Sequence, residues 1–142
     1  SKHLNKQFQA HTIQKRYVAM LEGWVAEDLG QISAPIAKDK KLFPKVKICQ
    51  ASGKESVSEY SVLQRLEQPR RTLVRYTPHT GRTHQLRIHS HSIGHPILGC
   101  DLYKSEDSEQ MADRLLLHAS DLYFEHPSSG EQIHGQCPCP FL

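Results

Sequence analysis

The sequence predicts an α+β domain, a mixed but largely antiparallel sheet carrying few helices. Three observations lead there. Residues 15–21 carry the two-residue period of a strand, and residues 56–66 and 71–77 read as further strands. Gln68-Pro69 is a turn signal that joins the last two of these as a hairpin. No succession of strand and helix patterns recurs along the chain, so βαβ units are not expected.

The elements follow in order. Residues 2–11 read as the end of a helix, with Leu4 and Phe8 one turn apart among polar neighbours. The chain opens at Ser1 without Met, straight into this pattern, so the first N–H groups have no cap. That start suggests a truncated domain; an expression remnant ahead of a natural start is the alternative. In residues 15–21, Tyr17, Ala19 and Leu21 share one face and Arg16, Val18 and Met20 the other, and Gly23 closes the strand. Residues 25–53, with Pro35, Pro44 and the lysines 38, 40, 41, 45 and 47, read as loop with short extended pieces. In residues 71–77, Thr72, Val74 and Tyr76 face one way and Arg71, Leu73 and Arg75 the other. His79-Thr80-Gly81 interrupts the pattern, and a helix is expected to run to about Ile93. Thr80 or Thr83 would be its N-cap, and Gly94 and Pro96 its stop. Residues 115–124 and 131–136 flank His126-Pro127 and Ser129-Gly130 as a second hairpin-like unit.

A chain of 142 residues is one domain's worth, able to bury a real core. Its apolar share is thin for a complete domain. Counted with glycine and without tyrosine it is about 39%, against the usual ~45–50%. No run approaches the ~18 apolar residues of a membrane span, and the N-terminus does not read as a signal peptide. The four cysteines, at 49, 100, 137 and 139, have irregular spacing and suggest no disulfide framework; a cytoplasmic protein with reduced thiols is expected. Cys137-Pro138-Cys139 is C-x-C with no second pair at finger spacing, so no metal is expected despite ten histidines.

The net charge is only +3, but it is unevenly placed. Between Glu67 and Asp101 there is no acidic residue, while Arg70, Arg71, Arg75, Arg82 and Arg87 stand among His79, His84, His89, His91 and His95. Such a block favours a polyanion, most simply a nucleic-acid backbone. A solvated basic face is the competing reading. A ribonuclease using His84 and His89 as acid and base is weakened by their spacing, because residues five apart do not share a helix face.

The run Gly81-Arg82-Thr83-His84-Gln85-Leu86-Arg87-Ile88-His89, continued by Gly94-His95-Pro96-Ile97-Leu98-Gly99-Cys100-Asp101-Leu102-Tyr103, resembles the pseudouridine synthases of the RluA family. Three further segments resemble that family's motifs in its order. They are Lys15-Arg16-Tyr17-Val18-Ala19; Gly53-Lys54 with Glu59-Tyr60, where Ser58 replaces the usual Thr; and Arg114-Leu115-Leu116-Leu117-His118-Ala119 with Phe124-Glu125-His126-Pro127. The resemblance covers nearly the whole chain. It departs at one point: the family's nucleophilic aspartate, in a His-Arg-Leu-Asp…Thr-Ser-Gly motif, has no counterpart here, and the aspartates 28, 39, 101, 107, 113 and 121 have none of its context.

The resemblance implies that residues 1–142 form the C-terminal portion of a single pseudouridine synthase catalytic domain, incomplete at its N-terminus. It implies a monomer that isomerises uridine in ribosomal or transfer RNA without metal or redox cofactor. These 142 residues would then be inactive alone; a non-catalytic RNA-binding module is the alternative. Tyr17 would stack on the base and act near the sugar as acid or base. Arg87 would pair with the nucleophilic carboxylate, holding it ionised. Arg82, His84 and Gln85 would contact RNA phosphate or sugar at the start of the helix. Leu116 and Leu117 would line the uracil pocket, and Arg70, Arg71 and Lys38 to Lys41 would reach peripheral RNA. Each assignment has a plain structural competitor: a half-buried strand tyrosine, a helix-surface arginine, a locally packed histidine, core leucines.

Overall fold

The computed structural model describes residues 14–42, 45–125, 132–136 and 139–140. The helix expected over residues 2–11, the turn at His126-Pro127 and Ser129-Gly130, and Cys137 lie outside the described residues. The elements run β1 (Gln14–Glu22), β2 (Leu29–Ser33), β3 (Ile36–Lys38), β4 (Val46–Ile48), β5 (Val57–Leu66), β6 (Arg71–Pro78), α1 (Gln85–Ser92), a 3₁₀ turn (Ser108–Met111), β7 (Leu117–Glu125) and β8 (Gln132–Gln136). Six strands make one sheet in the order β2-β5-β6-β1-β7-β8, and every pairing described within it is antiparallel. Strands β3 and β4 form a separate two-stranded ribbon.

Alternation along β1 explains its central place. Ala19 and Leu21 enter a cluster with Val25, Ile32, Val74, Tyr76, Leu86 and Ile97, whereas Val18 and Met20 enter a second cluster with Leu73 and Leu98 on the opposite face. Both faces of the strand are therefore covered. The helix α1 reaches the first cluster through Leu86. Two residues on, Ile88 joins a third cluster with Ile36, Val46, Cys100 and Tyr103. Burying Leu86 and Ile88 is worth ~1.5–3 kcal/mol each, enough to fix a two-turn helix between the sheet and the β3–β4 ribbon.

The helix begins later than expected and without the expected cap. His84 occupies the N-cap in the left-handed region, φ 53°, and no side chain caps the first turn. The Thr80 hydroxyl instead donates to Gln85 Oε1 at 2.6 Å and accepts from Val57 N at 3.0 Å, and Thr83 is exposed. Long-range contacts to β5 override the local capping signal. The stop is as expected. Gly94, φ 84°, takes the C′ position; its N–H donates to His91 O and His95 N–H to Ser90 O, both at 3.0 Å, closing a Schellman motif. Among the described residues no helix is long and apolar enough to cross a membrane.

Candidate active site

Tyr17 sits at mid-sheet, opposite Tyr76 of β6 and Ala119 of β7. The β1–β7 register slips between Arg16 and Tyr17, an irregularity of the kind that re-aims a side chain. The ring is half-buried against the Ala19–Leu21–Val74–Tyr76–Leu86 cluster. That burial pushes the phenol above its ordinary value of 10.0, so it is protonated at neutral pH.

Leu117 packs against the same cluster and so lies on the Tyr17 face. Leu116 does not. Its N–H donates to Leu98 O and its carbonyl accepts from Met20 N, and its side chain packs with Val18, Met20, Leu73 and Leu98 on the other face. Adjacent residues of an extended chain point to opposite sides, so one pocket cannot take both leucines. The expected pair is split, leaving Leu117 beside Tyr17.

The same cluster draws α1 over this face through Leu86, and Arg87 is the next residue. Arg87 is partly exposed and makes no ion pair among the described residues. A guanidinium so placed can accept a carboxylate, which it would hold below the ordinary carboxylate range.

Gln85 departs from its expected role. It is 4% exposed, and all four hydrogen-bonding positions of its amide are taken. Nε2 donates to Val57 O and Ser58 Oγ, each at 2.9 Å, while Oε1 accepts from Thr80 Oγ1 at 2.6 Å and Arg82 N at 3.1 Å. Nothing is left for a ligand. The chain continues inward: Ser58 Oγ donates to His89 Nδ1 at 2.8 Å, and His89 Nε2 donates to Ala34 O at 2.9 Å. Burial holds His89 below its ordinary value of 6.5, so it is neutral, as that donor pattern requires. With both ring nitrogens occupied, His89 cannot be the acid or base of a ribonuclease. Gln85 and His89 instead pin α1 to β5 and the segment after β2.

Arg82 donates from Nε to Glu55 O at 3.0 Å and keeps part of its guanidinium in solvent. His84 lies with Nδ1 3.0 Å from Tyr103 Oη, the rings edge-on with centroids 5.6 Å apart. Burial first, and then the charge of Arg87, lower its pKa, against a smaller raising effect from Asp101. Tyr103 and Ser58 were given no role by the sequence, and Thr80 was expected only as an N-cap. Two of them stood inside quoted motifs, but no local period signals a partner some 20 or 30 residues away.

The acid-free block is contiguous in sequence but not in space. Arg70 lies over the Trp24 ring at 4.6 Å, and Arg71 Nη1 donates to Glu67 O and Pro69 O in the β5–β6 turn. Arg75 pairs across the sheet with Val18, on the face away from Tyr17. There it lines a cleft of about 520 Å³ with Gln31, Glu59 and Thr77. His79 faces Glu59 at 3.3 Å, and His95 Nδ1 approaches Glu22 O at 2.8 Å. The expected basic block is thus divided among the β5–β6 turn, one face of the sheet, α1 and the segment after it.

Tyr17, with its protonated phenol on a central strand, and Arg87, on the helix packed over that face and without an ion pair among the described residues, stand on a fold shared with pseudouridine synthases. The chain superposes on human RNA Pseudouridylate Synthase Domain Containing 1 with a TM-score of 0.87 at 29% identity, covering 99% of this chain and 60% of that one. Residues 1–92 match the RNA pseudouridylate synthase family, and the chain belongs to it. It is 42% identical over 138 residues to the dual-specificity RNA pseudouridine synthase RluA of Vibrio cholerae, covering 97% of this chain and 56% of that protein. The RluA of Escherichia coli is 38% identical over 138 residues, covering 97% of this chain and 63% of that protein. The chain therefore spans roughly six-tenths of the length of these relatives.

Proposed function

We propose that the full-length protein isomerises uridine to pseudouridine in ribosomal or transfer RNA, as a cytoplasmic monomer needing no metal. The observation that carries this reading is the shared cluster that sets Tyr17, Leu117 and the Arg87-bearing helix on one face of the sheet. The reaction detaches uracil from its ribose and rejoins it through carbon. The target base must leave its stack, and Tyr17 offers a flat face with a protonated hydroxyl near the sugar. Leu117 supplies apolar wall. Arg87 holds and orients a carboxylate nucleophile. The aspartate expected for that role belongs to a motif these 142 residues do not contain, so they are expected to be inactive alone. Arg82 and His84 stand at the start of α1 as candidate phosphate or sugar contacts.

The test is direct: incubate full-length protein with unmodified transfer and ribosomal RNA, then quantify pseudouridine after nuclease digestion. Pseudouridine in either RNA is the expected result. RNA binding without any pseudouridine would overturn the catalytic reading and favour a binding module.

A further inference from the structure

Among the described residues, the segment that holds the β3–β4 hairpin is dense in positive charge without ion pairs. Six lysines (38, 40, 41, 45, 47 and 54) and one acidic residue lie between positions 36 and 54. That acid, Asp39, is occupied locally, its Oδ1 accepting from Lys41 N at 3.1 Å and Leu42 N at 3.2 Å. Among the described residues none of the six lysines forms an ion pair, and all but Lys45 are exposed. Lys45 lies over the Tyr103 ring, 5.5 Å from its centroid.

Tyr103 joins this ribbon to α1. Val46 N–H donates to its hydroxyl at 2.7 Å. The hydroxyl's own proton goes to His84 Nδ1 at 3.0 Å, which requires His84 neutral, and burial and Arg87 favour that form. Around the hydroxyl, Ile36, Val46 and Ile88 pack on the Tyr103 ring. One tyrosine thus touches a hairpin strand, the residue that starts α1 and a lysine ammonium. Arg87 follows His84 by three positions on that helix.

We propose that Tyr103 is a positioning residue, a latch that fixes the lysine-bearing hairpin as a phosphate-backbone arm in register with the Arg87 helix. This inference rests on the RNA reading above and adds the arm that would grip the strand flanking the target uridine. A cationic hairpin held in one place neutralises phosphates without first losing the freedom of a mobile arm. Cut loose, it would keep its charge and lose its alignment.

The experiment uses full-length protein and unfractionated transfer RNA, in filter binding across a salt series, with amide exchange on the free protein. Tyr103→Phe keeps the ring and the Lys45 contact and removes only the hydroxyl. It should raise Kd roughly tenfold and flatten the salt slope by one or two phosphate contacts. Lys47→Ala should flatten the slope by about one contact in the wild type, and by much less in Tyr103→Phe. Amide exchange at Val46 should accelerate in Tyr103→Phe while amides of β1 and β6 keep their protection. Should that variant lose its fold, Val46 exchange in the wild type carries the test: protection like that of the β1 and β6 amides supports the latch, and exchange at the rate of an open hairpin overturns it. Wild-type affinity and slope in Tyr103→Phe, or an undiminished Lys47→Ala effect there, would overturn the latch. Failure of the wild type to bind RNA would instead overturn the functional reading, and Val46 exchange would still report whether the latch exists.

Discussion

Residues 68–100 and the β3–β4 hairpin are both basic, and they use their charge in opposite ways. In the first, arginines are tied into the fold: Arg70 covers Trp24, Arg71 closes a turn and Arg82 reaches back to Glu55, while His89 is buried and neutral. In the hairpin the lysines have no carboxylate partners among the described residues and, apart from Lys45, stand in solvent. The longer block has the more conspicuous sequence, yet the shorter one has more charge available to a phosphate backbone. What separates them is where each group's hydrogen bonds go, which composition cannot report. Arg87 and Arg75 are exceptions within the first region: both are partly exposed, and among the described residues neither forms an ion pair.

The largest expected effect separates Arg87 from the hairpin. In the full-length enzyme Arg87→Ala should lower single-turnover rate by roughly a thousandfold or more while changing RNA affinity by only about threefold. An affinity loss as large as the rate loss would place Arg87 with the hairpin lysines and break the distinction. Next comes stability. Gln85→Ala leaves Ser58, Val57 and Thr80 with lost partners in a buried network, and should cost about 3 kcal/mol in urea unfolding. Lys47→Ala on the exposed hairpin should cost under ~0.5 kcal/mol.

Acid should act on the first region before the second. His84 and His89 both titrate below 6.5 in the folded chain, burial being the main cause. The unfolded chain therefore takes up their protons first. Stability is full above pH ~6.5 and falls as pH drops from there toward the lower folded values. Replacing His89 by Gln should flatten that part of the stability–pH curve, measured by urea midpoints; an unchanged curve would remove His89 from the account. Smallest is Arg82→Ala. With Nε already engaged by Glu55 O, it should flatten the salt slope of RNA binding by no more than about one contact.

The sequence showed what local physics decides. Strands β1 and β6 carry a two-residue period because successive residues enter clusters on opposite faces of the sheet, and Gly94 marks the end of α1 because its φ is positive. The start of α1 was hidden, since His84 adopts its left-handed conformation beside Tyr103, 19 residues further on. Gln85 reads as a contact residue in a polar motif, and only the approach of β5 turns it inward. The splitting of Leu116 from Leu117 is the simplest case, because strand periodicity alone forbids their sharing a pocket. Tyr17 stood out through its motif, whereas the latch of Tyr103 needed coordinates.

The proposed function requires Tyr17 to act on the substrate as well as to pack against Ala19 and Tyr76. Tyr17→Phe keeps the ring and the packing and removes the hydroxyl. In the full-length protein it should bind RNA within about threefold of wild type and lose roughly a hundredfold or more in single-turnover pseudouridine formation. Turnover at the wild-type rate would show Tyr17 to be a packed strand residue and contradict the site described here.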